Sequence, residues 1–202
     1  MNQPELKKIL IVCHSVHGNT YGMAREIARG VEQVDRAAAI VRSVPPITSA
    51  IDPEAREPSE TGPALVQASD LNDCSGLILG SPTRFGNMAA AMKYFLDGTG
   101  GQWASGALQG KPAGVFTSTA TLHGGQESTL LTMMVPLLHH GMVIAGLPYS
   151  LPALHKTQSG GTPYGPSHLA GPDGDRALDS DEIELCRALG QRVAQLAVEL
   201  DS

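Results

Sequence analysis

Ile9-Leu10-Ile11-Val12-Cys13 is an unbroken apolar run, preceded by Lys7 and Lys8 and followed by the hydroxyl- and glycine-bearing stretch Ser15-Val16-His17-Gly18-Asn19-Thr20. A strand with no polar face must be covered on both sides, a condition met inside a parallel sheet. The same pattern returns at Gly76–Gly80, Gly114–Ser118 and Met142–Ala145, with a less regular candidate over Ala38–Val44. Between these runs the period changes. Met23, Ile27, Val31 and Val34 recur at helical spacing within Tyr21–Val34, and the Ala/Met-rich Met88–Leu96 and the segment Gln126–His140 also read as helices. Pro136 is expected to bend or break the last of these. Asp179 with Glu182 three residues later has capping-box spacing, opening a final helix to about Leu200 with Ile183, Cys186, Leu189, Val193, Leu196 and Leu200 on one stripe.

Five strands alternating with helices predict an α/β fold, a doubly wound five-stranded parallel sheet with helices on both faces. The 202 residues suit one domain, 1–202, with loop-rich insertions near 45–68 and 155–178. Ser159–Asp175, dense in Gly and Pro, reads as loop throughout.

Charge narrows the function classes. Lys plus Arg number 14 against 20 Asp plus Glu, a net charge of −6, which disfavours general binding to nucleic acid or anionic membrane. The cysteines Cys13, Cys74 and Cys186 are scattered and form no CxxC, so a reducing compartment, the cytoplasm, is expected. Zinc-finger spacing is absent, no metal is expected, and no run approaches the roughly 20 apolar residues of a membrane span.

In doubly wound sheets ligands sit beyond the carboxyl ends of the strands, where strand order reverses. The first such loop, Ser15–Thr20, offers hydroxyls, a glycine and free amides at a helix start, donors suited to a phosphate. It contains no Lys or Arg, and a plain capped helix start is the alternative. A dinucleotide loop would need GxGxxG, a P-loop would need a Lys, and a Cys13-based phosphatase loop would need Arg where Asn19 stands. The second loop, Ser81-Pro82-Thr83-Arg84-Phe85-Gly86-Asn87, combines an aromatic ring, a cation and a glycine at one strand end. The third, Ser118-Thr119-Ala120-Thr121-Leu122-His123, leads into Gly124-Gly125 and again mixes hydroxyls with glycines. Trp103, the sole Trp, follows Gly100-Gly101 where the chain leaves a helix, and reads as a platform or interface ring. His139 and His140 precede Gly141, and either a helix-dipole contact or a site role fits them.

Taken together, the Ser15–Thr20 loop, SPTRFGNMAAAMKYFLDGTGGQWASGAL from Ser81, HGGQEST from His123, HHGMVI from His139 and GGTPYG from Gly160 resemble the tryptophan-repressor-binding-protein (WrbA) family over nearly the whole chain. The resemblance implies a flavodoxin-like fold, tightly but non-covalently bound FMN, and two-electron reduction of quinones by NADH or NADPH through the flavin. It assigns Ser15, Val16, His17, Gly18, Asn19 and Thr20 to the FMN phosphate. Thr83, Arg84, Phe85, Gly86 and Asn87, with Ser118, Thr119, Ala120, Thr121, Leu122, His123 and His139, fall around the isoalloxazine. His139 and Arg84 take catalytic roles, Trp103 and His17 contact substrate, and a homotetramer is implied. The chain departs from the family at His17, where Tyr is usual, and at Leu122-His123, where a glycine pair is usual. A one-electron carrier and a repressor-associated binding protein are the rival readings.

Overall fold

The computed structural model describes residues 6–45, 47 and 62–200, so most of the loop read over 45–68 lies outside the described residues. In chain order the elements are β1 (Lys7–Cys13), α1 (Asn19–Val31), β2 (Ala37–Ser43), α2 (Ala68–Asp73), β3 (Gly76–Arg84), β4 (Asn87–Met88), α3 (Ala90–Asp97), α4 (Gly100–Ala104), β5 (Pro112–Thr119), α5 (Gln126–His139), β6 (Val143–Ile144), α6 (Ala153–Lys156), β7 (Ser167–Leu169) and α7 (Ser180–Glu199). The central strands lie in the order β2-β1-β3-β5-β6, all parallel. This is the expected doubly wound sheet, and order reverses between β1 and β3.

Alternation along β1 sends its apolar run to both faces. Leu10 and Val12 join Leu77, Leu79, Val115, Leu130 and Met133 on one side, while Ile9 and Ile11 join Ile78, Phe116, Met23, Ile27 and Leu189 on the other. On this second face α1 and α7 cross closely. A Cβ at Gly30 would lie 2.1 Å from Arg187 O, and one at Gly190 the same distance from Ile27 O, so only glycine permits the approach. The Arg187 guanidinium, 2.8 Å from Glu26, closes the edge of the crossing.

Several expectations are corrected. β3 continues past Gly80 to Arg84 and turns back through Phe85-Gly86 into β4, so Asn87 and Met88 are strand and α3 begins only at Ala90. Pro82 is accommodated at the end of β3, where Ser81 Oγ takes the Ala89 amide at 2.8 Å and fixes the return of the chain. α5 is not broken at Pro136, which lies in its last turn, where one lost bond matters little. Trp103 sits on the short helix α4 rather than in a loop. On α7 the buried stripe is Leu185, Cys186, Leu189, Val193 and Ala197, while Leu200 is exposed. The Gly/Pro-dense segment 159–175 contains β7, which pairs with Thr117–Thr119 of β5 and so continues the sheet edge where β6 stops.

Candidate active site

The loops leaving β1, β3 and β5 lie side by side because their strands are neighbours in the sheet. At the first, Gly18 adopts a left-handed φ of +91° at the N-cap of α1, with open space where a Cβ would stand. Ser15 Oγ accepts from the Gly18 and Tyr21 amides at 3.1 and 3.3 Å, and among the described residues no acceptor meets the amides of Asn19 and Thr20. Asn19 Nδ2 donates to Gly174 O at 2.8 Å, which fastens the helix start to the chain ahead of α7. A helix start with unmet amides, an open glycine and hydroxyl neighbours fits a phosphate group. Cys13 cannot act here as a thiolate, since burial pushes its thiol up to about 12.

The second loop is a hairpin whose two central residues both have positive φ, Phe85 at 52° and Gly86 at 77°. That is the pattern of a type I′ turn, in which a phenylalanine is strained at its first position. The Phe85 ring is fully exposed. The hairpin is buttressed from α5: Thr129 Oγ1 donates to Thr83 Oγ1 at 2.8 Å and Thr132 Oγ1 to Asn87 Oδ1 at 3.2 Å. Among the described residues Arg84 donates only to its neighbour's carbonyl, Thr83 O, at 3.0 Å, and its charge stays available.

The third loop turns on Thr119, whose hydroxyl donates to Thr121 O and accepts from the Thr121 amide. Buried Gln126 holds its far side, donating to Leu122 O at 2.8 Å while Ser167 Oγ donates to Gln126 Oε1. Ser118 is buried at the strand end, whereas Ala120, Leu122 and His123 are exposed.

Beside the hairpin opens a cleft of about 830 Å³, lined by Arg84, Asn87, Trp103, His139 and His140 among others. Trp103 is half-exposed and stacks on His139, ring centroids 5.7 Å apart at 24°. The structure therefore gathers Arg84, Asn87, Trp103 and His139 around one cavity. Ser15–Thr20 and Ser118–His123 do not line it but flank β3 on either side.

Sequence reasoning passed over the cleft floor. Thr99 Oγ1 donates to Leu96 O at 2.7 Å, so toward His140 Nε2, 2.9 Å away, it accepts. This bonding assigns the His140 proton to Nε2 and leaves Nδ1 a buried acceptor, without a partner among the described residues. Burial first, and His139 beside it second, lower the His140 pKa below the ordinary histidine value, so its ring is neutral at pH 7. The doublet His139-His140 was the available signal, but only the fold distinguishes the ring facing Trp103 from the ring tied to Thr99.

Among the described residues no helix is long and apolar enough to cross a membrane. Comparison with known proteins agrees with this architecture. Residues 7–154 match the family model described as NADPH-dependent FMN reductase. A protein of Syntrophobacter fumaroxidans named NAD(P)H dehydrogenase (quinone) is 44% identical over 200 residues, covering 96% of this chain and 98% of its own. A protein of Geobacter sulfurreducens with the same name shows the same identity and coverage. Among solved structures, the flavodoxin, WrbA-like protein from Agrobacterium tumefaciens superposes with a TM-score of 0.65 at 24% identity, covering 96% of this chain and 98% of its own, and it shares the fold. With a family model matched over residues 7–154 and relatives at 44% identity covering 96% of its length, the chain belongs to the NADPH-dependent FMN reductase family.

Proposed function

We propose that this chain, as a single flavodoxin-like domain spanning 1–202, is an FMN-dependent NAD(P)H:quinone oxidoreductase. The observation that carries the reading is the cleft between the β3–β4 hairpin, α4 and α5, which joins an aromatic wall to a cation beside the loops suited to FMN. FMN bound there supplies hydride acceptance from a nicotinamide and two-electron delivery to a quinone.

The residues then have distinct tasks. The α1 amides at Asn19 and Thr20, with Ser15 and Gly18, hold the phosphate, and no basic residue of that loop is needed. His17 and Val16 edge the same loop. Thr83–Asn87, at the end of β3, and Ser118–His123, after the neighbouring β5, would hold the ring. Arg84, lining the cleft, would offer positive charge to a ring that becomes more negative on reduction. Trp103 stacks flat substrates, and His139, aligned by that stacking, orients a quinone oxygen or gives it a proton. Neutral His140 keeps the cleft floor uncharged.

The exposed side chains Leu131, Val135 and Leu138 recur along one face of α5 next to the cleft, which supports a homotetramer that covers this face. The cytoplasm is the compartment that three free, buried cysteines support. Steady-state kinetics of the FMN-loaded protein with varied nucleotide and benzoquinone test the activity. Parallel double-reciprocal lines are expected, and no quinone-dependent oxidation of NADH or NADPH would refute it.

A further inference from the structure

A buried polar cluster lies outside the cleft, around Glu182 in the first turn of α7. Its side chain is fully buried, and its two oxygens accept five hydrogen bonds. Oε1 takes the Gly160 amide at 3.0 Å, the Leu169 amide at 3.0 Å and Arg176 Nη1 at 3.1 Å. Oε2 takes His168 Nδ1 at 2.8 Å and the Asp179 amide at 3.1 Å. Burial by itself would raise this carboxyl, but the bonds from His168 and from the Leu169 and Asp179 amides outweigh it and hold the pKa below the ordinary glutamate value. Helix capping uses only the Asp179 bond. The other four reach back to residues 160–176, more than a cap requires.

That segment touches the cofactor loops at both ends. Its Gly174 carbonyl receives Asn19 Nδ2, from the first residue of α1. The Arg176 amide donates to Ala170 O at 3.0 Å and the Gly174 amide to Gly171 O at 3.1 Å, so the turn presenting Gly174 is tied to the Arg176 that Glu182 holds. At the other end β7 pairs with Thr117–Thr119, and Ser167 Oγ bonds Gln126 behind the third loop. The phosphate grip thus has no charged residue of its own, but a buried carboxylate stands behind its one side-chain anchor.

We infer that Glu182 is a positioning residue for the phosphate end of the cofactor site, acting through the 160–176 segment and Gly174 to aim Asn19 and the α1 amides. The inference rests on the reading of Ser15–Thr20 as the FMN phosphate loop. It makes discrimination between FMN and unphosphorylated flavin depend on a residue that touches neither. A loosened segment leaves the loop to be ordered by the ligand, at a cost that falls on the phosphate contacts.

The test is fluorescence titration of FMN and of riboflavin into the flavin-free full-length chain, comparing Glu182→Gln, Asn19→Ala and the double variant. Glu182→Gln keeps the shape but replaces one acceptor by a donor facing donors. It is expected to weaken FMN about tenfold and riboflavin less than about twofold, and adding Asn19→Ala is expected to cost far less than the product of the single losses. Equal losses for the two flavins, fully multiplicative losses, or unchanged FMN affinity with a lowered melting temperature would each overturn the inference. Should Glu182→Gln fail to fold, Arg176→Met, at a partly exposed side chain, removes one of the five donors to Glu182, together with the guanidinium's bonds to Leu169 O and Asp179 Oδ2. It should show the same selective loss at about threefold, and an unselective loss would overturn the inference equally. An unaltered chain that binds neither flavin would instead remove the flavin site itself.

Discussion

The cleft and the Glu182 cluster are opposite solutions to placing polar groups in one protein. Around the cleft, Arg84 spends its bonding on a neighbouring carbonyl, Phe85 is fully exposed, His140 Nδ1 has no partner among the described residues, and Trp103 is half-exposed against His139. Around Glu182 each carboxylate oxygen is met by two or three donors, and the His168 ring nitrogens bond Glu182 Oε2 and Arg176 O. The contrast shows where the molecule has been left for a ligand to complete. Unmet groups gather where flavin and substrate are proposed to bind, and saturated ones gather where loops must be held still.

The largest expected effect lies on the saturated side. Glu182→Leu removes the charge but strands its buried donors, and should cost about 3–5 kcal/mol of unfolding free energy in urea, as for a buried pair that loses one partner. Arg84→Ala, at an exposed side chain, should change stability by less than about 0.5 kcal/mol yet lower kcat/KM for quinone. If the two cost the same stability, the contrast is broken.

Next in size is the aromatic wall. Trp103→Ala should lower kcat/KM for benzoquinone about tenfold, equivalent to about 1.4 kcal/mol, with the melting temperature unchanged. Loss of folding in step with activity would show that the ring belongs to the scaffold instead.

Acid stability sharpens the comparison further. Burial opposes the charged forms of Asp179 and Glu182, but hydrogen bonds outweigh it and lower both carboxyls from ordinary values of 3.8 and 4.5. Carboxyls depressed in the folded state add stability that is fully present above those ordinary values and is lost as pH falls below them. Urea midpoints should therefore drop steeply as pH falls through that window, and Glu182→Gln should flatten the decline. An unchanged acid limb in the variant would place the titrating groups elsewhere.

The smallest effect has the opposite sign. Phe85→Asn suits the left-handed position of the hairpin and should raise stability by about 0.5–1 kcal/mol, at the expense of flavin or quinone affinity. A gain in stability with no functional loss would leave the exposed ring without a task.

What the sequence discloses follows the same division. Continuous apolar runs mark a strand buried on both faces without any tertiary knowledge, so β1, β3 and β5 and the loops after them were legible, as was the Asp179–Glu182 capping box. The hairpin tip was not, because Pro82 reads as a strand breaker and the bond from the Ala89 amide to Ser81 Oγ that returns the chain spans eight residues. β7 was hidden among Gly and Pro because three residues carry no period, and its pairing with Thr117–Thr119 is settled by the sheet. The second task of Glu182 was equally hidden. A capping box predicts one bond to Asp179, whereas His168, Leu169 and Gly160 reach it only after the chain has folded back.

The central claim is that the loops after β1, β3 and β5 hold FMN beside a cleft that admits a nicotinamide and then a quinone. An anaerobic visible spectrum of the FMN-loaded protein tests it most directly, with NADPH or NADH added first and benzoquinone second. The flavin absorbance should bleach on nucleotide addition and return fully on quinone addition. A spectrum that neither nucleotide bleaches, or one that bleaches and is not restored by quinone, would contradict it.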